Sequence, residues 1–215
     1  MTLKLVIFDC DGVLVDSEPI TSAVISQNLA KYGLPIPVDE VDRLFSGGTM
    51  QGVFETAKSE GAQLPDEWLD EIYALIFAEL AKGVPVFPGL FDLLDELRAA
   101  NVQCAVASNG PMQKMQITLT PSGLWDRLDG WIFSREHFRP KPAPDMIFHA
   151  MKVAGARDSE TVFIDDTVSG CRAGIAAGVK TYGFTQGRST KELSMIGAIP
   201  IHSMADIATQ LLSAR

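Results

Sequence analysis

Apolar and polar positions follow two periods along this chain. Short apolar runs bounded by turn residues occupy Lys4 to Phe8, Val102 to Ser108, Gly130 to Phe133, Thr161 to Ile164 and Val179 to Gly183, with Ile199 to Ile201 as a weaker sixth. Runs this continuously apolar predict strands buried on both faces, as in a parallel sheet. Helical patterns fall between them. Leu90 to Ala100 sets Leu90, Leu93, Leu94 and Leu97 on one face and stops at Asn101, a C-terminal cap. Pro144 to Ala154 starts with proline in its first turn and ends at Gly155. This alternation predicts an α/β protein with helices covering both faces of the sheet.

One interval departs from the alternation. From about Ser17 to Lys82 the patterns are helical only, over Ile20 to Tyr32, Val38 to Phe45, Met50 to Glu60 and Glu67 to Lys82. An inserted helical domain over residues 16–83 is expected, with the core formed by 1–15 and 84–215. Val15 to Pro19 and the Pro- and Gly-rich Gly83 to Gly89 are the connections.

Composition narrows the classes. At 215 residues and 47% hydrophobic content the chain can bury one large core plus a modest insertion. Cys10, Cys104 and Cys171 are odd in number, far apart and in apolar surroundings, so reduced thiols replace a disulfide framework, and no zinc spacing occurs. The start, MTLKLVIFDC, meets charge too early for a signal peptide and no run has the length of a membrane span, so a cytoplasmic location is expected. A net charge of −9 opposes nucleic-acid binding. No membrane partner and a monomeric state are expected, and an anionic substrate would need local cations.

Candidate chemistry clusters where strands end. Asp9 and Asp11 close the first strand, followed by Gly12, which permits a turn and lets backbone N–H groups approach an anion. Two carboxylates so close repel unless a cation or a shared proton relieves them, and a hard divalent ion, Mg²⁺, suits oxygen ligands. Asp-Gly is also a common turn pair, which leaves a solvated turn as the plain alternative. Other strand ends weigh against it. Thr161 to Ile164 delivers Asp165 and Asp166, Ala105 to Ala107 delivers Ser108 and Asn109, and the loop Phe138 to Pro144 holds Lys141 between prolines. Acids, a hydroxyl and a cation gathered beyond the carboxyl ends of parallel strands suit phosphoryl transfer.

The motifs Asp9-Cys10-Asp11-Gly12-Val13-Leu14, Ser108-Asn109, Lys141 and Asp165-Asp166, in that order, resemble those of the haloacid dehalogenase superfamily. The resemblance spans nearly the whole chain and points to phosphatases related to β-phosphoglucomutase, with a Rossmann-like parallel core and a helical cap. It implies Asp9 as the nucleophile and Asp11 as the general acid and base. Ser108, with Gly12 and Asn109 alongside, would cradle the phosphoryl, and Lys141 would offset its charge. The metal set would be Asp9, the backbone oxygen of Asp11, Asp166, and Asp165 through a water. Cys10 is read as core-facing or as a redox-sensitive thiol, Asp16 and Ser17 as helix caps or hinge residues, and His149 as structural.

The expected activity is Mg²⁺-dependent hydrolysis of a small phosphomonoester, a phosphorylated sugar or sugar acid, through an aspartyl phosphate. A phosphosugar mutase is the near alternative, disfavoured because Thr21 and a position near Met50 stand where its cations belong. A non-enzymatic phospho-acceptor module is the distant one. Ser108 to Gln116 (SNGPMQKMQ) resembles the 6-phosphogluconate phosphatases of this subfamily, which places Lys114 near a substrate carboxylate or hydroxyl, unless it is an exposed surface lysine. Gly47-Gly48, in the loop Phe45 to Gln51, would approach the site or form a plain turn.

Overall fold

The computed structural model describes residues 3–45, 49–186 and 190–212. Gly47 and Gly48 lie outside them. The chain divides into two compact units, one of Met1–Asp16 with Pro85–Arg215 and one of Ser17–Val84.

The larger unit starts with β1 (Leu5–Phe8), whose four side chains are all buried. In the smaller unit α1 (Glu18–Lys31), α2 (Val38–Phe45), α3 (Met50–Ser59) and α4 (Trp68–Leu80) follow with no strand among the described residues. There Trp68 stacks on Phe54, with ring centroids 5.9 Å apart, and its Nε1 donates to Asn28 Oδ1 at 2.6 Å. The Asn28 amide passes the bond on to Glu71, which also accepts from Lys31 and Tyr32. A buried indole is thereby satisfied through a chain that ends in a charged pair. Ser17 precedes α1 without a side-chain capping bond, so the expected cap is not formed. Asp16 instead donates its backbone N–H to Pro85 O at 2.9 Å, which ties the two connecting segments together.

The larger unit continues with α5 (Leu90–Ala99), β2 (Gln103–Ser108), α6 (Met112–Leu119), α7 (Leu124–Arg127), β3 (Ile132–Ser134) and α8 (Asp145–Ala154). It ends with β4 (Thr161–Asp165), α9 (Val168–Ala176), β5 (Lys180–Phe184), α10 (Lys191–Met195), β6 (Ile199–Ile201) and α11 (Met204–Leu212). Asn101 takes φ +55° just past α5 and Gly155 φ +60° at the end of α8, the left-handed stops the sequence calls for. All strands are parallel in the order β3-β2-β1-β4-β5-β6, so the chain reverses its direction of travel across the sheet at β1. Such a switch point opens a crevice beyond the carboxyl ends of β1 and β4.

Register and parity then fix what enters the crevice. Phe8 pairs with Val106 on one side and Ile164 on the other. Asp9, Ser108 and Asp165 therefore leave their strands on one rim. Leu5 and Ile7 pack with Ala105, Phe163, Met146 and Ile147 of α8 and Ala173 of α9. Strand alternation puts Asp9 and Asp165 on this same face, above which the loop into α8 delivers Lys141.

Cys10 and Cys171 are buried, whereas Cys104 on β2 is only half-buried. His149 packs its ring against Phe133 and Phe138. No helix among the described residues is long and apolar enough to cross a membrane.

Candidate active site

The Asp9 amide donates to Ile164 O at 2.9 Å, so the sheet ladder reaches the first acid. Its carboxylate is held by two donors on one oxygen, the Lys141 ammonium at 2.8 Å and the Cys10 amide at 2.8 Å, both on Oδ1. Burial raises the Asp9 pKa, and although Lys141 opposes this, Asp165 adds to it, so the group is pushed up to about 7. The same burial, reinforced by Asp11 and Asp9, lifts the Cys10 thiol well above its ordinary range. Such a shift opposes the thiolate a redox-sensitive role needs.

Lys141 is the hub. Its side chain is 3% exposed, and Nζ lies 2.8 Å from Asp9 Oδ1 and 2.6 Å from Asp165 Oδ2. Burial works against the ammonium, but the carboxylates of Asp165 and Asp9 outweigh it and hold its pKa above the usual lysine value. The backbone of Lys141 is gripped as well. Asn109 Nδ2 donates to Lys141 O at 3.0 Å, and Lys141 N donates to Asn109 Oδ1 at 2.7 Å. The Asn109 amide, expected to face substrate, thus also orients the lysine loop.

Asp165 is fully buried and richly bonded. Oδ2 receives Lys141, while Oδ1 accepts from Thr167 N at 2.9 Å and Thr167 Oγ1 at 2.7 Å. Thr167 caps α9 by accepting from Gly170 N at 3.0 Å. Gly170 is obligatory here, because a Cβ on it would lie 1.8 Å from Asp165 Oδ2. Gly12, at φ +78°, would bring a Cβ within 2.3 Å of Asp166 Oδ2, so the turn after the acid pair closes tightly on Asp166. Gly12 O accepts from Gln186 Nε2 at 2.6 Å.

Asp9, Asp165 and Asp166 each bring a carboxylate oxygen within 4.8 Å of the others. All three are hard oxygen donors, and burial together with Asp165 disfavours the Asp9 charge even with the Lys141 ammonium 2.8 Å away, so a further positive charge is favoured there. Both observations fit a divalent metal of the Mg²⁺ type.

Asp11 lies on the more open side. Its Oδ2 is 2.9 Å from Lys114 Nζ, and the two side chains are 24% and 22% exposed. Burial works against the Lys114 charge, but Asp11 outweighs it and raises the lysine pKa. Lys114, in the first turn of α6, is therefore ion-paired at the rim and not a solvated surface lysine. Ser108 is 2% exposed, and its Oγ accepts from Gly110 N at 2.9 Å. The same loop is braced from β3 and the turn after it: Ser134 Oγ donates to Gly110 O at 2.8 Å, and Glu136 Oε2 accepts from Met112 N at 2.9 Å.

The sequence reading missed Thr167, Gly170, Ser134, Glu136 and Gln186. Thr167 had a local signal, a threonine just before an apolar helical run. Gln186 had none, since its partner Gly12 lies 174 residues away.

Residues 6–184 match the sequence profile of a family described as haloacid dehalogenase-like hydrolase. The chain is 30% identical over 185 residues to the 6-phosphogluconate phosphatase of Escherichia coli K12, covering 85% of this chain and 82% of that protein. It is 31% identical over 200 residues to a phosphoglycolate phosphatase of Pseudomonas savastanoi pv. phaseolicola, covering 88% and 73%. The crystal structure of a HAD family hydrolase from Deinococcus radiodurans R1, with bound phosphate and sodium, superposes with a TM-score of 0.86 at 31% identity, over 99% of this chain and 96% of that one.

Proposed function

Because the chain belongs to the haloacid dehalogenase-like hydrolases, we propose that it is a Mg²⁺-dependent phosphatase of small phosphorylated sugars, sugar acids and hydroxy acids. The observation that carries this reading is the buried Lys141 ammonium between Asp9 and Asp165, beside the three-carboxylate cluster.

Both anchors of Asp9 fall on Oδ1, which supports Oδ2 as the oxygen that attacks phosphorus. The new P–O bond forms as the ester P–O bond breaks, and Asp11 gives its proton to the leaving oxygen. Asp11 then takes a proton from the attacking water. The aspartyl P–O bond breaks, releasing phosphate and restoring Asp9. Ser108 and the backbone of its loop orient the phosphoryl oxygens, and Lys141 stabilises the negative charge beside Asp9. Asp9, Asp166 and the backbone oxygen of Asp11 are the proposed metal ligands. Mg²⁺ held by these residues would offset negative charge on the phosphoryl group. Asp165 has both oxygens engaged by Lys141 and Thr167, so we assign it chiefly to seating the lysine and place it at the edge of the metal set.

The relatives' activities on 6-phosphogluconate and phosphoglycolate support an anionic organic phosphate as the substrate class. Phosphate release should be measured across such esters with Mg²⁺ and again under excess EDTA. Turnover should vanish with the metal and return on adding it back; undiminished release under EDTA refutes the metal role. Asp9→Asn should remove at least ~10³-fold of kcat and all acid-stable phosphoenzyme in rapid-quench trapping.

A further inference from the structure

The two site lysines have different surroundings. Lys141 is sealed at 3% exposure and committed to Asp9 and Asp165, whereas Lys114 stands at 22% exposure with Asp11. We propose that Lys114 sets substrate preference by binding the group attached to the phosphoester carbon, favouring a carboxylate at that place. The inference rests on the phosphatase reading above and narrows its substrate class.

The argument is one of reach. Asp11 must touch the leaving oxygen to give it a proton, so that oxygen lies one hydrogen bond from the Asp11 carboxylate, about 2.7 Å. Lys114 Nζ is 2.9 Å from Asp11 Oδ2. An ammonium has three donors, of which Asp11 takes one, so a substrate group near the leaving oxygen can take another without breaking the pair. A carboxylate carried on the ester carbon itself, as in a two-carbon phosphorylated hydroxy acid, falls within that reach. A carboxylate at the far end of an extended six-carbon acid does not, and such a substrate presents a hydroxyl there instead. The charged group makes the stronger bond, because ionic partners roughly double the strength of a neutral hydrogen bond. The net charge of −9 makes a local cation the more necessary for a doubly anionic substrate.

The test compares kcat/KM for phosphoglycolate, for hydroxyethyl phosphate, which replaces the carboxylate with a hydroxymethyl group, and for 6-phosphogluconate, using wild type, Lys114→Met and Lys114→Arg. Wild type should favour phosphoglycolate over both others. In Lys114→Met the loss on phosphoglycolate should exceed the loss on hydroxyethyl phosphate by tenfold or more, mainly through KM, and Lys114→Arg should retain most of the preference. Equal losses on the two esters, or a wild type indifferent to the carboxylate, overturn the proposal. Should Lys114→Met melt below the assay temperature, Lys114→Gln carries the same comparison. A wild type that releases phosphate from none of the three esters, nor from any other monoester, overturns the phosphatase reading itself, a result distinct from activity without carboxylate preference.

Discussion

Lys141 is fixed from both ends, by Asn109 on its backbone and by two carboxylates on its ammonium. Misplacing a catalytic group by an ångström can cost about 100-fold in rate. Asn109→Ala should therefore lower kcat by roughly 10- to 100-fold, with little change in KM, in a protein that still melts cooperatively; an unchanged kcat would remove Asn109 from the positioning of the lysine. A second residue makes a prediction about stability. The Glu160 carboxylate accepts from the Arg157 side chain and backbone and pairs with Lys4, and these donors hold its pKa down to about 2. A carboxylate depressed in the folded state stabilises it above the unfolded value of about 4.5, and loses that contribution as pH falls through 2. Urea midpoints for Glu160→Gln should fall below wild type at pH 7 and converge with it near pH 2. At this scale the gathering of Asp9, Asp165, Asp166 and Lys141 in one place was legible, because strand-end carboxylates and a proline-bracketed lysine are local patterns. The work of Asn109 was not, since its partner is 32 residues away and an amide beside a site serine reads equally well as a substrate group.

The junction of β4 and α9 joins a strand end, a helix cap and the lysine seat in six residues. Thr167 both caps the helix and fixes Asp165, and Gly170 leaves room for that carboxylate. Because Asp165 is pinned by Lys141 and Thr167, it cannot yield to an added methyl group. Gly170→Ala should destabilise the fold by about 1–3 kcal/mol and disturb Lys141 at the same time. Calorimetry and turnover on one sample would show both losses; a wild-type melting temperature would mean the carboxylate has room to move. The strands were readable because each is a continuous apolar run, and α5 and α8 because their stops at Asn101 and Gly155 carry the left-handed conformation. The cap expected from Ser17 is not formed because Ser17 takes helical angles, φ −88° and ψ −15°, in place of the extended backbone a capping side chain needs. The short α7 and α10 offer too few turns for a period to be recognised.

At the scale of the molecule, three carboxylates from β1 and from β4 with its following turn share one crevice, so a cation there binds the folded chain and not the unfolded one. Mg²⁺ at a hundred times its dissociation constant should raise stability by about 2.7 kcal/mol, seen as a melting shift of several degrees without any substrate. Asp166→Asn should lose most of the shift; an equal shift in the variant would place the ion elsewhere. The parallel architecture followed from the alternation of strands and helices, but the order of strands did not, since apolar runs say nothing about which neighbours they choose.

That order also bears on how the chain is made. β1 emerges first from the ribosome yet needs Gln103–Ser108 on one side and Thr161–Asp165 on the other. An entirely apolar strand must wait, unpaired on at least one edge, while the polypeptide up to Asp165 is synthesised. Slowing or removing β4 should therefore leave Leu5–Phe8 open to pairing with other chains for longer.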